Sequence, residues 1–536
     1  MESKKGLKHC YFYHSNVVLK FSVMIKKLLS LAFVGAALGI QAKSASHSAD
    51  RPNILFVISD DQSYPHASAY GCKWIKTPNF DRIASQGILF TNAFVTSPGC
   101  SPSRASILTG RYPWQNEEAG THGSTFPTKY KVFTQVLAEH GYAVGFTGKP
   151  WAPGDWKVSG WNQNPVGPEY NKKKLATPYT GISKVDYSGN FDQFLEQRKP
   201  EQPFFFWFGA NEPHRPYEQN SGEKDGKEKF SAIVPGFLPD HPIVRGDLLD
   251  YAVEIEWYDK QLGKMLSTLE RNGELENTLI IVTADNGMSF PRAKANCYEA
   301  GLHVPLAICW ANKVAAGQVS NDLISTVDLA PTILESVKLK FDGKFPMSGT
   351  SMLKQLVSPK FKMNKKEVAI FAGRERHTNA RYNNQGYPQR VIRTAEYLYI
   401  RNFHSDLWPA GDPQVYLEDG TLSGMHQAYL DIDPGPTHRF YGQSNTQDPA
   451  IAPFFLAATA KRPAEELYQI VTDKDCLINL ALDPNYSSVK KQLSERLMNQ
   501  LRNTGDTRFL GPNPDVWESY PRYKGTNPNF PAPTKD

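Results

Sequence analysis

The stretch from residue 97 to residue 111 reads Ser-Pro-Gly-Cys-Ser-Pro-Ser-Arg-Ala-Ser-Ile-Leu-Thr-Gly-Arg. Ser101 is a favourable N-cap, Pro102 suits the first helical position and Gly110 suits the end, so a short helix is predicted with Cys100 just before it. A lone cysteine is most often buried or disulfide-bonded. A reactive group at Cys100 would nevertheless face the free N–H groups of a helix start, which favour a bound anion.

The same stretch resembles the signature of the type I sulfatases, the formylglycine-dependent family. In that family an enzyme reads Cys-x-Pro-Ser-Arg and oxidises the cysteine to formylglycine (3-oxoalanine), and residues 100–104 match this pattern. The resemblance implies that Cys100 is the modified nucleophile and that a formylglycine-generating enzyme acts on the chain during maturation. It also implies that Arg104 offsets charge on the sulfate oxygens.

Acidic and amide residues follow two apolar runs of the buried-strand type. Residues 52–59 run into Asp60 and Asp61, and residues 278–283 are followed by Asp285 and Asn286. An Asp-Asp pair is often a solvated loop, and Asp-Asn-Gly alone is a turn signal, but adjacent buried carboxylates repel unless a cation lies between them. Oxygen ligands of this kind suit Ca²⁺ or Mg²⁺ rather than zinc. The resemblance implies a metal set of Asp60, Asp61, Asp285 and Asn286, with the modified Cys100 bound to the same ion.

Three further positions are assigned by the resemblance to the sulfatases. Lys149 follows a predicted strand and matches a lysine that contacts the sulfate, and Lys294 opens a segment similar to the one that carries the second sulfate-binding lysine. His214 lies in a His-x-Pro motif, which implies that it protonates the leaving group as a general acid. A lysine or histidine after a strand is otherwise most often solvated or structural.

Two departures from the family pattern stand out in the sequence. The family has a histidine two residues after the first lysine, whereas this chain has Trp151, and His122 is the candidate replacement. The family has an arginine where this chain has His303. Arg376 and His377 are predicted to contact the sugar, the alternative being surface charges near a subdomain join.

Strands alternate with helices up to about residue 360, and the candidate ligands follow the strands. This order predicts an α/β fold with a mostly parallel sheet and the site along its carboxyl edge. The resemblance implies an alkaline-phosphatase-like sheet flanked by helices in a catalytic domain over 50–360. It implies a smaller antiparallel subdomain with an irregular tail over 361–536.

The first 42 residues read as a leader. A basic start at residues 24–27 precedes an apolar run over 28–40, too short to span a bilayer, and a small residue suited to cleavage. We expect a bacterial secretory signal with Met24 as the true start, and hence a periplasmic or secreted protein. Five cysteines follow the leader, and an odd number leaves at least one thiol unpaired.

Charge and composition exclude several classes of protein. The formal net charge is +6, but residues 1–42 carry six Lys and one Glu, so little net charge remains on the rest of the chain. A nucleic-acid partner therefore has no support. With 40% hydrophobic and 21% charged residues, the composition is that of an ordinary globular protein rather than a membrane protein.

Three segments narrow the expected substrate. Residues 287–291, 373–377 and 387–393 look most like the sulfamidase, or heparan N-sulfatase, branch, whose bacterial relatives include ulvan-active sulfatases. We therefore predict an exported sulfatase acting on a sulfated polysaccharide or oligosaccharide, either algal such as ulvan or of the heparan type. Two alternatives remain, namely a phosphomonoester or phosphonate hydrolase of the same superfamily and a non-catalytic polysaccharide-binding protein with an unmodified Cys100.

Overall fold

Apolar runs form the strands of a large sheet because both of its faces are covered by helices. The computed structural model describes residues 51–358, 368–444, 446–523, 525 and 527–533. Within them the large sheet contains β1 (Asn53–Ser59), β2 (Ile88–Phe94), β3 (Ala143–Gly148), β4 (Phe204–Gly209), β5 (Thr278–Ala284), β6 (His303–Cys309), β7 (Gln318–Ser320) and β8 (Ile324–Ser325). A smaller sheet contains β9 (Ile370–Arg374), β10 (Gln389–Arg393), β11 (Tyr397–Asn402) and β12 (Glu465–Gln469).

The helices follow the strands through the chain. The α-helices are α1 (Pro78–Gln86), α2 (Cys100–Thr109), α3 (Phe133–Glu139), α4 (Tyr187–Gln197), α5 (Ser221–Lys224), α6 (Pro242–Arg271), α7 (Glu299–Leu302), α8 (Leu329–Ser336), α9 (Leu353–Val357), α10 (Pro436–Ser444), α11 (Ala452–Thr459), α12 (Ser487–Asn503), α13 (Thr507–Leu510) and α14 (Val516–Ser519). Short 3₁₀ turns lie at Ser68–Tyr70, Pro113–Gln115, Glu117–Gly120, Leu275–Asn277, Thr326–Asp328, Tyr382–Asn384 and Pro484–Tyr486. No helix among the described residues is both long and apolar enough to cross a membrane.

The large sheet is mostly parallel, in the spatial order β3-β4-β1-β5-β6-β2-β7, with β8 also pairing with β2. Strands β3, β4, β1 and β5 run in the same direction, whereas β6 is antiparallel to both β5 and β2. In register, Ile58 of β1 lies opposite Gly209 of β4, and Ser59 lies opposite Ala284 of β5. The residues that follow these strands therefore emerge at one edge of the sheet.

Alternate side chains of the central strand β1 enter two different cores, as the pleat requires. Phe56 belongs to the core formed with α2 and α8, whereas Val57 belongs to the core formed with α6. The smaller sheet is antiparallel throughout. Its residue Val391 packs with residues of the large sheet, and its residue Ile392 packs with α12.

Several predicted details differ from the structure. The helix of the 97–111 stretch begins at Cys100 with Gly99 as its N-cap, so Ser101 is not the cap and the cysteine lies inside the first turn. Gly110 ends the helix in the left-handed conformation, as predicted. The tail beyond Gly511 is irregular except for α14. All five cysteines after the leader are free, so the described residues form no disulfide.

Two predictions fall outside the described residues. The secretory leader over residues 1–42 is one of them. The other is the boundary between residues 360 and 361, which lies in the undescribed segment 359–367. The described residues, which begin at Arg51, form one compact unit that contains both sheets.

A glycine at the end of β3 permits the close approach of β4 next to the site. Gly148 has φ +77°, and a β-carbon built on it would lie 1.9 Å from the carbonyl oxygen of Gly209. That carbonyl accepts the backbone N–H of Lys149 at 2.6 Å. Only glycine satisfies both the dihedral angle and the contact here.

We predict that Gly148→Ala destabilises the protein more than Gly160→Ala. Gly160 has φ +87° but no atom within 4 Å of a built β-carbon, so its substitution costs only the left-handed backbone, about 1–2 kcal/mol. The steric clash at Gly148 adds about 1–3 kcal/mol. Urea unfolding of the two variants measures the difference, and equal losses of stability would contradict this account of the strand end.

Candidate active site

Three carboxylates and one amide meet at the carboxyl edge of the large sheet. Asp60 and Asp61 follow β1, and Asp285 and Asn286 follow β5; each is at most 1% exposed. The Asp61 backbone N–H donates to Asp285 Oδ1 at 3.1 Å, and Asn286 Nδ2 donates to Asp61 Oδ1 at 2.7 Å. Asp61 has φ +73°, a strained conformation of the kind that collects at functional sites.

Cys100 lies beside these carboxylates. Its Sγ is 3.4 Å from Asp60 Oδ1 and 3.8 Å from Asp61 Oδ1. Burial raises the pKa of the Cys100 thiol well above its ordinary value, although Lys149 and Lys294 act in the opposite direction. The thiolate is the reactive form of cysteine, so the unmodified side chain is a weak nucleophile in this setting.

Each of the three carboxylates has a cation beside it. Arg104 Nε lies 2.7 Å from Asp285 Oδ2, Lys149 Nζ lies 2.5 Å from Asp60 Oδ2, and Lys294 Nζ lies 2.7 Å from Asp61 Oδ2. Burial would raise the pKa of Asp60, but Lys149 and His214 hold it below the ordinary value. The three ion pairs together carry no net charge.

The position of Arg104 is set by backbone groups as well as by its carboxylate. Its Nη1 donates to the carbonyl oxygens of Lys149 and Pro150 at 2.7 and 3.0 Å. The Trp151 indole N–H donates to the Ser101 carbonyl at 3.1 Å. Trp151 thus ties the loop after β3 to the start of α2 at the place where the family pattern has a histidine.

His214 lies at the mouth of the cluster, with 38% of its side chain exposed. Its Nδ1 is 2.6 Å from the Arg215 carbonyl, and because a carbonyl only accepts, Nδ1 carries a proton; a proton on Nε2 as well would make the ring a cation. Its Nε2 faces Asp61 Oδ2 at 3.9 Å. The orientation leaves Nε2 available for a proton transfer at the mouth of the site.

Asp433 joins the site from the C-terminal part of the chain, and the sequence analysis missed it. Its Oδ2 lies 2.9 Å from Lys294 Nζ, and its carboxylate falls within 4.8 Å of the ligand atoms of Asp61 and His214. Lys294 is therefore shared between two carboxylates. No pattern in the sequence connects Asp433 with Lys294, which is 139 positions away. The one local signal is the Pro434-Gly435 pair that follows it, which is typical of turns and loops.

His122 and His377 lie together next to the residue that precedes Cys100. Their ring centroids are 4.5 Å apart, and a β-carbon built on Gly99 would lie 3.3 Å from the His377 ring and 3.9 Å from the His122 ring. Burial lowers the pKa of both imidazoles, which favours their neutral forms. His122, the candidate replacement for the missing histidine, and His377, which is predicted to contact the sugar, thus both lie next to the start of α2.

Arg376 and His303 have different surroundings. The Arg376 guanidinium donates to the carbonyl oxygens of Tyr520 and Pro521 in the tail, so its hydrogen bonds hold the tail. His303 stacks on Tyr64 with centroids 4.0 Å apart and lies 3.5 Å from Glu299. The structure does not bring either residue into the cluster of carboxylates and cations.

The donor set suits a hard divalent cation. Asn286 Oδ1 is buried and has no hydrogen-bond partner among the described residues, and ligand atoms of Asp60, Asp61 and Cys100 lie within 4.8 Å of one another. Carboxylate and amide oxygens are the usual ligands of Ca²⁺ and Mg²⁺. The residues therefore fit the predicted metal, and the unpartnered Asn286 Oδ1 is a candidate ligand atom.

Comparisons with known proteins agree with this architecture. The chain matches the family described as Sulfatase over residues 52–339, more than half of its length. An ulvan-active sulfatase of Formosa agariphila is 28% identical over 469 residues, covering 87% of this chain and 82% of that protein. The N-sulphoglucosamine sulphohydrolase of Homo sapiens is 25% identical over 510 residues, covering 86% of this chain and 92% of that protein.

A solved structure shares the fold. A protein in complex with its substrate D-glucosamine-2-N,6-O-disulfate superposes with a TM-score of 0.60 at 20% identity, covering 85% of this chain and 98% of that chain. The predicted fold class, a mostly parallel sheet flanked by helices with a separate antiparallel sheet, is confirmed. The predicted family is confirmed as well.

We predict that Asn286→Ala weakens Ca²⁺ binding, because the substitution removes a buried ligand oxygen. We expect the Ca²⁺ affinity to fall roughly 100-fold. Substituting a residue that only orients a metal ligand typically lowers the affinity by about 10- to 100-fold, and loss of a ligand itself should reach the upper end of that range. Calorimetric titration of the protein with Ca²⁺ measures it. Asn92→Ala removes an amide hydrogen bond to the Asn321 carbonyl elsewhere and should leave the affinity unchanged; equal affinities of both variants would contradict the ligand role.

Proposed function

Because the chain belongs to the sulfatase family, and is thus a sulfuric ester hydrolase, we propose that it removes sulfate groups from a sulfated polysaccharide or oligosaccharide through a formylglycine made from Cys100. The observation that carries the proposal is the convergence on Cys100 of three carboxylates, each paired with a cation. We further propose that the protein is exported, since residues 24–42 have the pattern of a secretory signal.

Formylglycine at position 100 supplies a hydroxyl nucleophile when its aldehyde is hydrated. The proposal is supported by the Cys-Ser-Pro-Ser-Arg match, which a formylglycine-generating enzyme would read, and by the high pKa that makes the unmodified thiol a weak nucleophile. Cys100 lies in the first turn of α2, where backbone N–H groups favour negative charge. The modified residue is thereby placed where an anionic group can approach it.

A bound Ca²⁺ or Mg²⁺ would be held by Asp60, Asp61, Asp285 and Asn286 and would lower the pKa of a hydroxyl group bound to it. The charge of the site also depends on such an ion. The three ion pairs sum to zero and Asp433 adds a negative charge, so with a neutral His214 a divalent cation makes the site positive by a single charge, and a protonated His214 adds one more. That balance suits a sulfate ester, which is a monoanion.

The three cations are proposed to hold the sulfate group. Lys149 and Lys294 are kept in place by their carboxylates, and Arg104 is held rigidly by Asp285 and two carbonyl groups. Preorganised donors of this kind stabilise charge on the sulfate oxygens in the transition state without having to reorganise. Removal of one such donor typically costs about 10²–10³-fold in rate.

His214 is proposed to protonate the leaving oxygen. As the S–O bond to the sugar breaks, that oxygen takes the proton from Nε2 while Nδ1 stays bonded to the Arg215 carbonyl. Over the whole reaction one sulfate ester and one water molecule are consumed. The products are the sugar alcohol, inorganic sulfate and a proton. His122 and His377 are proposed to contact the sugar from the Gly99 side; for Arg376 a role in holding the tail fits its contacts better.

The substrate class is proposed from the relatives. Proteins named for activity on ulvan and on N-sulphoglucosamine align with most of this chain. A carbohydrate sulfate ester is therefore proposed, from either an algal or a heparan-type polymer. The turnover of aryl sulfate against aryl phosphate tests the reaction class, and a preference for the phosphate would overturn the proposal.

We predict that His214→Asn slows the hydrolysis of a sulfated sugar far more than that of 4-nitrophenyl sulfate. A sugar alcohol is a poor leaving group that needs a proton, whereas nitrophenolate leaves without one, so the loss should be about 10²–10⁴-fold for the sugar only. Steady-state kinetics with both substrates measure it. Equal losses for both substrates would contradict the acid role.

We predict that the peptide containing Cys100 has the mass of an aldehyde after coexpression with a formylglycine-generating enzyme. Mass spectrometry of the digested protein measures the loss expected when a thiol is converted to an aldehyde. Arg104→Lys keeps the positive charge but lacks the Arg of the recognised motif, and should reduce the conversion. An intact thiol in an enzyme that still hydrolyses sulfate would contradict the proposed nucleophile.

A further inference from the structure

The C-terminal tail lies against the start of the nucleophile helix. Gly123 donates its backbone N–H to Ser101 Oγ at 3.1 Å, and its carbonyl accepts the N–H of Tyr523 at 2.8 Å. Arg376 holds the preceding tail residues through the carbonyl oxygens of Tyr520 and Pro521. The tail is thus connected through Gly123 to Ser101, the neighbour of Cys100.

A polar cavity of about 380 Å³ opens beside this part of the tail. We call it the tail cavity; it is lined by Asn379, Arg381, Tyr382, Asn383, Asn384, Arg522, Asn527, Pro528, Asn529 and Phe530. Its volume falls within the range of small-molecule sites. Half of the lining residues are asparagines, and amides offer both donors and acceptors to sugar hydroxyl groups. Asn379 donates to Asn527, and Asn384 Oδ1 is buried without a hydrogen-bond partner among the described residues.

Arg522 is the cation of the tail cavity that has no partner carboxylate. Among the residues that the structure describes, no carboxylate forms an ion pair with its guanidinium, and its buried Nε has no hydrogen-bond partner. Arg381, the other arginine of the lining, is neutralised by Asp431 at 2.8 Å. A half-buried guanidinium with free donors is a strong site for a carboxylate or a sulfate.

The charge around Arg522 is positive on balance. Asp431 is shared by Arg374 and Arg381, and the nearby Arg376 bonds only to carbonyl groups. Arg522 lies against Gly123, the residue after His122, because a β-carbon built on Gly123 would be 3.2 Å from Arg522 Nε. The tail cavity therefore borders, through Arg522, the segment that carries His122 and contacts Ser101.

We propose that the tail cavity is a saccharide subsite that binds a second anionic group, a carboxylate or a sulfate, on the sugar unit next to the one that is desulfated. Arg522 pairs with that anion, and the asparagine amides bond to the hydroxyl groups. The inference rests on the proposed function, since it assumes that a sulfated saccharide occupies the catalytic cluster. It makes the enzyme selective for oligosaccharides with a second anionic group over those whose only charge is the sulfate that is removed.

The test is a binding experiment that needs no turnover. The full chain carrying Cys100→Ala is titrated calorimetrically with three tetrasaccharides: one from heparin, the same compound with its carboxyl groups reduced, and fully N-acetylated chitotetraose, which is neutral. We expect the heparin tetrasaccharide to bind at least about 10-fold more tightly than the neutral one, since only the former carries anions for the catalytic cluster and for Arg522. The part of this preference that depends on Arg522 is measured by substituting that residue. The carboxyl-reduced compound distinguishes the two sources of the anion, since it keeps only the sulfates.

Adding Arg522→Ala should then weaken binding of the heparin tetrasaccharide about 10- to 100-fold, which is the range for a hydrogen-bonded charge. Arg522→Gln serves as a second variant of similar size should the alanine variant fail to fold. Arg502→Ala, which removes an exposed arginine at the end of α12, is the matched control and should change the affinity less than about 2-fold, as a surface charge remote from the ligand does.

Equal weakening by the substitutions at Arg522 and Arg502, or no preference for the acidic tetrasaccharide, would overturn the subsite. Sulfate release by the unsubstituted enzyme is measured separately. If the unsubstituted enzyme releases no sulfate but binding still depends on Arg522, the proposed function alone is refuted. If it releases sulfate but binding does not depend on Arg522, the subsite alone is refuted.

Discussion

The site depends on one electrostatic constraint, namely that carboxylates removed from water must each be matched by a positive charge. The parallel strands β1 and β5 deliver Asp60, Asp61 and Asp285 to one buried edge, where an unpaired charge would cost several kcal/mol. Arg104, Lys149 and Lys294 supply the matching charges from three other segments. The pairing also fits the proposed chemistry, because protein groups whose charges balance would become an anion site once they bind a divalent cation.

Backbone geometry brings those charges within reach of each other. Gly148 and Gly209 end β3 and β4, and the absence of a β-carbon lets the two strand ends approach closely. This close approach allows the backbone N–H of Lys149 to donate to the Gly209 carbonyl. The carbonyl groups of Lys149 and Pro150 in turn orient Arg104. Trp151 adds a hydrogen bond to the first turn of α2, so a residue that departs from the family pattern still fastens the same two segments.

The C-terminal part of the chain contributes to the site rather than only supporting it. Asp433 shares Lys294 with Asp61, and His377 packs beside Gly99. Arg376 is fastened to the tail. The groups proposed for catalysis therefore lie in α2 and in the loops that follow strands of the large sheet. The C-terminal segments form much of the surface around them, where selectivity between saccharides would arise.

The amino-acid sequence by itself determined the fold class, the family and the strand ends that carry the polar residues. The fold class and the strand ends could be predicted because strands buried on both faces appear in the sequence as continuous apolar runs. The family could be predicted because the 97–111 stretch matches a long motif. Both are local patterns of the sequence. The start of its helix was misplaced because Gly99, not Ser101, caps it. Only the tertiary structure decided that Asp433 and Arg522 lie near the site and that Arg376 is bonded to the tail. Such contacts join residues that are far apart along the chain, and a pairing across that distance leaves no periodicity or spacing in the sequence.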